Sequence, residues 1–138
     1  MSVSPGTYAT AHRHAAGPHV IIVEGEGYEV FFMPGEERRR RKVAANPYTV
    51  IVPRLNEFHQ HFNTGAGTYR MLAFTDRPAR YGSGQAYDPN LTSHSEDPNA
   101  WTYMIPFEQE DPSIRQEYYA ELARKGIHLR REPIKQGG

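Results

Sequence analysis

The chain has 138 residues, room for one domain and not for two. Its 16 basic and 16 acidic side chains cancel, which argues against a protein living on phosphate backbones or acidic membrane surfaces, so neither nucleic acid nor membrane is an expected partner. There is no cysteine, so disulfides, thiolate nucleophiles and zinc–thiolate sites are excluded together, and the longest wholly aliphatic run, residues 20–23, is far short of the roughly 20 residues of a membrane helix.

With 12 glycines, 11 prolines, 9 tyrosines and 6 phenylalanines, the composition favours short strands joined by turns. His19–Glu24 is β-branched and compact, Gly25-Glu26-Gly27 ends it in a tight turn, and residues 28–33 come next, closed by Pro34-Gly35. These two runs predict an antiparallel hairpin. A further strand is expected over 48–52, between Asn46-Pro47 and Pro53, then others over 58–62 and 69–74. Five strands at turn-punctuated intervals predict a small barrel or sandwich. Residues 75–100 are rich in Pro, Asp, Ser, Asn and Gly and predict a long loop or arm, with one more strand possible over 101–107. Asp111-Pro112 then opens a helix that Gly126 stops, with Ile114, Tyr118 and Leu122 on one face and Tyr119 and Ala123 beside them. The expected organisation is a core over 1–75, an arm over 76–107, and a helix and tail over 108–138.

The chemistry gathers on histidine. Among the 7 histidines, His12 and His14 form one HxH group with His19 close behind, and His59 and His61 form another. Residues two apart on a strand face the same side, so each pair can converge on one ion. Neutral imidazoles suit iron, nickel, copper, zinc or manganese better than calcium or magnesium. A barrel interior with apolar walls is where two such groups would meet.

Read together, Gly6, His12-Arg13-His14, Gly25, Pro53 and the interval from His59 to Asn63 resemble the two motifs of the cupin superfamily, over roughly residues 5–75. The resemblance implies an all-β fold: a cupin-type double-stranded β-helix, or jelly-roll barrel, with one C-terminal α-helix. It departs from the family at three places. Pro18 or His19 stands where the family has a glutamate ligand, Pro47 replaces the glycine that opens the second motif, and Leu55 replaces the glycine of its PxG. Counting onward from His14 puts His19 in the glutamate's slot, with Ile21 and Val23 inward behind it. The implied metal ligands are therefore His12, His14, His19 and His59, with His61 beside them to orient a ligand or act as acid or base.

The same resemblance implies a divalent transition metal, Fe(II) first and Mn, Ni or Zn as alternatives. The activity implied is that of a non-haem iron dioxygenase on a small aromatic or dicarbonyl substrate. An isomerase or lyase on the same metal, and a non-catalytic half of a bicupin, are the competing readings. Cupins usually carry several strands before the first motif, and only 11 residues precede His12. The missing strands are expected from a partner cupin domain or from another copy in a homo-oligomer, and a cytoplasmic location is expected.

The remaining features read as ordinary surface or packing. Arg38 to Lys42 is a run of five cations, expected to be the solvated end of a hairpin or a contact for an acidic partner. Arg70, Arg77 and Arg80 could clamp a substrate carboxylate, although surface arginine is the simpler reading. Trp101 reads as packing, and His94 and His128 as surface.

Overall fold

The structure is a computed structural model, and it describes residues 1–13, 19–74 and 103–130. Among the described residues, nine strands form two antiparallel sheets, and one α-helix follows them. In chain order the strands are β1 (Ser2–Val3), β2 (His12–Arg13), β3 (His19–Glu24), β4 (Gly27–Phe32), β5 (Arg41–Ala45), β6 (Val50–Ile51), β7 (Phe58–Asn63), β8 (Tyr69–Phe74) and β9 (Tyr103–Met104). The helix, α1, spans Pro112–Lys125. The first sheet runs β1-β8-β3-β6 and the second β5-β4-β7-β2-β9. Apart from β4 and β5, which pair with each other, successive strands alternate between the two walls, as the jelly-roll expectation requires.

β3 and β4 do not form the expected hairpin: β3 pairs with β6 and β8, while β4 pairs with β5 and β7. The turn between them carries the chain from one wall to the other. Backbone crowding fixes this corner. A Cβ on Gly25, which sits at φ +90°, would lie 2.5 Å from the Thr68 carbonyl oxygen, and one on Gly27 would lie 2.1 Å from that of Phe62.

Between the walls, Val3, Val20, Ile22, Phe31, Ala45, Ile51, Tyr69 and Met71 form one apolar cluster. In β3 it is Val20 and Ile22 that are buried there, while His19 and Val23 are exposed and Ile21 is half-buried. The expected inward direction of Ile21 and Val23 is therefore reversed, and that of His19 with it. Residues 14–18 separate β3 from β2, and strict alternation holds only within a continuous strand.

The outer face of the second sheet is sealed by α1. Ile114, Tyr118 and Leu122, the face read from four-residue spacing, pack against Tyr8, Tyr28, Val30, Phe32, Phe58, Phe62 and Tyr103. Asp111 caps the helix by accepting from the Ser113 N–H at 2.8 Å, and Pro112 fits the first turn. Gly126 closes it in the left-handed region at φ +68°. Those hydrogen bonds from Ser113, with a smaller contribution from Arg38, hold the Asp111 carboxyl below its ordinary range. The Tyr118 hydroxyl lies 2.8 Å from the Thr7 carbonyl oxygen and 2.7 Å from that of Asn63, sharing its one proton between them and tying the helix to the end of β7 and the segment before β2. Because β4 and β7 are covered on both sides, all their residues are buried.

The cationic run lies at the end of a hairpin, as expected: β4 pairs antiparallel with β5, an edge strand, and Arg38 and Arg39 are exposed in the connection. Its other charges meet acids of the same chain. Arg40 Nη2 lies 2.6 Å from Glu117, Lys42 Nζ lies 3.1 Å from Glu117 and 3.5 Å from Glu121, and Arg41 Nη2 lies 3.0 Å from Glu57. Burial alone would raise the Glu117 carboxyl, but the hydrogen bonds from Arg40 and Lys42 outweigh it and hold it low. Strands also come from the ends of the described chain, where β1 pairs with β8 and β9 with β2.

Candidate metal centre

Three histidines meet on the inner face of the second sheet. The β2–β7 register sets His12 directly opposite His59, and His61 lies two residues along β7, on the same side. The His12 and His59 rings are 4.3 Å apart between centroids, and the His61 ring is 5.5 Å from the first and 5.6 Å from the second. One ring nitrogen from each of His12, His59 and His61 falls within 4.8 Å of the others, and all three residues are buried.

Hydrogen bonds behind the rings set the tautomers. His12 Nδ1 lies 2.9 Å from the Thr10 carbonyl oxygen, which can only accept, so Nδ1 carries the hydrogen and Nε2 keeps its lone pair. His61 Nδ1 lies 2.5 Å from Glu29 Oε2, and the same logic leaves His61 Nε2 as a bare lone pair. That nitrogen is buried and has no hydrogen-bond partner. A buried imidazole with one nitrogen anchored and the other aimed into a cluster of like groups is prepared for a metal, because a ligating histidine donates its other N–H to a carbonyl or carboxylate. The donor set fits a divalent transition ion: three neutral nitrogens, with no thiolate and with one carboxylate held just behind.

Glu29 faces His61 across the β4–β7 register and is fully buried. Its other oxygen accepts from the Tyr69 hydroxyl at 2.7 Å. Burial, reinforced by the Glu29 charge, pushes the Tyr69 phenol well above its ordinary range, so it remains a donor. The array Tyr69–Glu29–His61 therefore fixes one ring in place. Sequence reasoning singles out neither Tyr69 nor Glu29. A signal exists for Glu29, an acid in the middle of an otherwise aromatic and β-branched strand, where only a buried partner could retain it.

On the opposite side of β7, Gln60 donates to Glu110 Oε1 at 2.8 Å and to the Ala9 carbonyl at 3.2 Å, and Tyr8 donates its hydroxyl to Glu110 Oε2 at 2.6 Å. Burial raises the Glu110 carboxyl, against the hydrogen bonds of Tyr8 and Gln60 that lower it. At the end of β7, Asn63 accepts from the Gly65 N–H at 2.8 Å and donates to the carbonyls of Val3 at 2.9 Å and Gly67 at 2.8 Å. The strand that carries two of the three rings is thus fixed on its far face and at its end.

Of the residues read as ligands, His12 and His59 belong to the group. His61, expected beside the ion, supplies the third nitrogen instead, because its parity on β7 matches that of His59. His19 does not join: it is exposed on β3, in the other sheet, and outside the three-histidine group. His14, like Arg77, Arg80, His94 and Trp101, lies outside the described residues. Arg70 is 60% exposed and pairs with Glu24 at 3.3 Å, on the outer side of β8. His128 is exposed beyond α1, as read from the sequence, with its backbone beside Gly6.

Neither a family model nor a curated protein matches the sequence. Solved structures do. The capsular polysaccharide assembling protein CapF from Staphylococcus aureus aligns over 76% of this chain and 26% of its own, at 16% identity and a TM-score of 0.55. A recombinant oxalate oxidase in complex with glycolate aligns over 89% of this chain and 59% of its own, at 15% identity and a TM-score of 0.49. The chain thus spans about a quarter of the first and under two thirds of the second. The chain has the cupin fold. Within this fold the three histidines occupy the barrel interior and offer a nitrogen site for a divalent metal. Among the described residues, no helix is long and apolar enough to cross a membrane.

Proposed function

We propose that this cupin is a metal-dependent oxidoreductase of the dioxygenase type, holding Fe(II) on His12, His59 and His61 and acting on a small aromatic or dicarbonyl substrate. The observation that carries the reading is the neutral ligand set: Glu29, the carboxylate nearest the rings, is occupied by His61 Nδ1 and the Tyr69 hydroxyl. Three imidazoles leave a divalent ion its full charge and coordination positions open to other ligands. When bound, the ion supplies Lewis acidity toward two oxygens of a chelating substrate and redox chemistry with dioxygen.

The chain's own residues supply the rest. Thr10 and Glu29 hold the His12 and His61 rings in the tautomers that present Nε2. The apolar wall of Val20, Ile22, Phe31, Ile51 and Met71 lowers the local dielectric and limits water. Glu29 strengthens the donor character of His61 by drawing on its Nδ1 proton. An isomerase or lyase could use the same ligands, and dioxygen separates the two classes.

The test is dioxygen uptake by iron-loaded protein offered catechols, gentisate, hydroxynaphthoates and dicarbonyl compounds. Uptake coupled one-to-one to substrate loss, abolished in His59→Ala, is the expected result. Substrate conversion that proceeds equally under anaerobic conditions would replace this reading with an isomerase or lyase.

A further inference from the structure

Two separate stretches of chain carry the three rings, and the ladder between them is thin. Among the described residues, β7 meets β4 over six register pairs but meets β2 through one, His12 opposite His59. An isolated bridge between Tyr8 and Phe62 lies further along. From Tyr8 to His12 the chain takes four steps while its partner takes three, from Phe62 to His59. One extra residue therefore bulges out of the ladder just before the first ligand. A bulge leaves backbone groups without ladder partners, and the Gln60 amide serves one of them, donating to the Ala9 carbonyl at 3.2 Å.

Glu110 bridges the same two stretches from outside. It directly precedes the cap of α1, on the side of β7 away from the rings, and each of its oxygens goes to a different stretch. Oε1 accepts from Gln60, which lies between His59 and His61, and Oε2 accepts from the hydroxyl of Tyr8, four residues before His12. Arg115 Nε stands 3.8 Å from Oε2. Tyr8, Gln60 and Glu110 are all buried, where an unpaired member is costly, so each partner holds the others in place. We infer that Glu110 is a positioning residue for the metal centre: by joining Tyr8 to Gln60 it fixes the spacing of His12 from His59 and His61, and so sets metal affinity without touching the metal. Glu29 orients one ring, whereas Glu110 sets the distance between the stretches that carry the rings. A metal–nitrogen bond accepts roughly 0.2 Å of displacement. A strand shift far too small to unfold the barrel is therefore enough to weaken the site.

This role rests on the three histidines as the metal site and is independent of the proposed reaction. Titration of the full chain with Co(II), followed by visible absorption, reads both affinity and coordination geometry. Glu110→Ala should weaken binding about 10–100-fold, the range for partners that stand behind a metal's ligands. Glu110→Gln keeps an oxygen for Gln60 and a nitrogen for Tyr8, and should restore most of the affinity. Tyr8→Phe removes a single hydroxyl and should weaken binding by less than Glu110→Ala. Leu122→Ala, which loosens the same helix at its other end, should leave affinity and spectrum unchanged. Circular dichroism establishes that each variant is folded, and if Glu110→Ala is not, Tyr8→Phe decides alone. Undiminished affinity in folded Glu110→Ala, or in Tyr8→Phe, overturns the role. So does an equal loss in Leu122→Ala, which would make overall stability the cause. A wild type that binds no Co(II) would instead remove the metal centre itself, and this role with it.

Discussion

The two sheets are built from similar strands and end in opposite roles. The first, β1-β8-β3-β6, gives the interior an almost purely apolar wall. The second, β5-β4-β7-β2-β9, carries His12, Glu29, His59 and His61 inward and an aromatic layer outward under α1. The difference shows how a small barrel can hold polar groups in its core. β7, which carries two of the buried imidazoles, is anchored on its far face and at its end by Tyr118, Gln60, Glu110 and Asn63. The first sheet brings only the Tyr69 hydroxyl to that polar interior, and among the described residues no helix covers its outside.

The largest contrast should appear when one leucine is truncated on each outer face. Leu122→Ala, under the helix, should cost about 2–5 kcal/mol in denaturant unfolding. Leu72→Ala, half exposed on the other sheet, should cost under about 1 kcal/mol. Equal losses would mean that α1 is not what stabilises the second sheet.

Next in size is the support behind the rings. Glu29→Gln keeps the shape but removes the charge that faces His61 Nδ1, and metal affinity measured by titration calorimetry should fall about 10–100-fold. Tyr69→Phe removes only the hydroxyl on the far oxygen of Glu29. It should lower affinity by less than Glu29→Gln and cost about 1–2 kcal/mol of stability for the acceptor left unsatisfied. A Tyr69→Phe loss larger than that of Glu29→Gln would contradict the order of the array.

The smallest effect concerns Glu110. Its carboxyl is raised in the folded protein above the ordinary value of 4.5, chiefly by burial. The folded state therefore holds this proton to higher pH than the unfolded chain does. The group's contribution to stability is full below about pH 4.5 and is lost as pH rises through the folded value. Glu110→Gln should flatten the stability–pH curve in that window, and an unchanged slope there would show that another group titrates.

Much of the molecule is legible in the sequence. β3 and β8 match their sequence runs at both ends, and α1 starts and stops where Asp111, Pro112 and Gly126 say it must. β5 escapes such a reading, because Arg41 and Lys42 look like solvent-facing loop until Glu57, Glu117 and Glu121 are brought against them from distant parts of the chain. The hairpin expectation fails for a related reason. A glycine turn shows that the chain reverses, not which sheet it enters. Parity within one strand pairs His59 with His61, while nothing relates His19 to His12 across the residues between their strands. Glu29 stands in plain view but lacks a partner until β4 pairs with β7.

If His12, His59 and His61 hold one divalent metal while His19 stands outside the site, metal content per chain is the most direct measure of it. The protein would be purified and reconstituted with Fe(II) or Mn(II) before the metal is counted. Near-stoichiometric metal is predicted in the wild type and in His19→Ala, with loss in His61→Ala while the fold stays intact. Retention of metal by His61→Ala together with its loss from His19→Ala would contradict that arrangement.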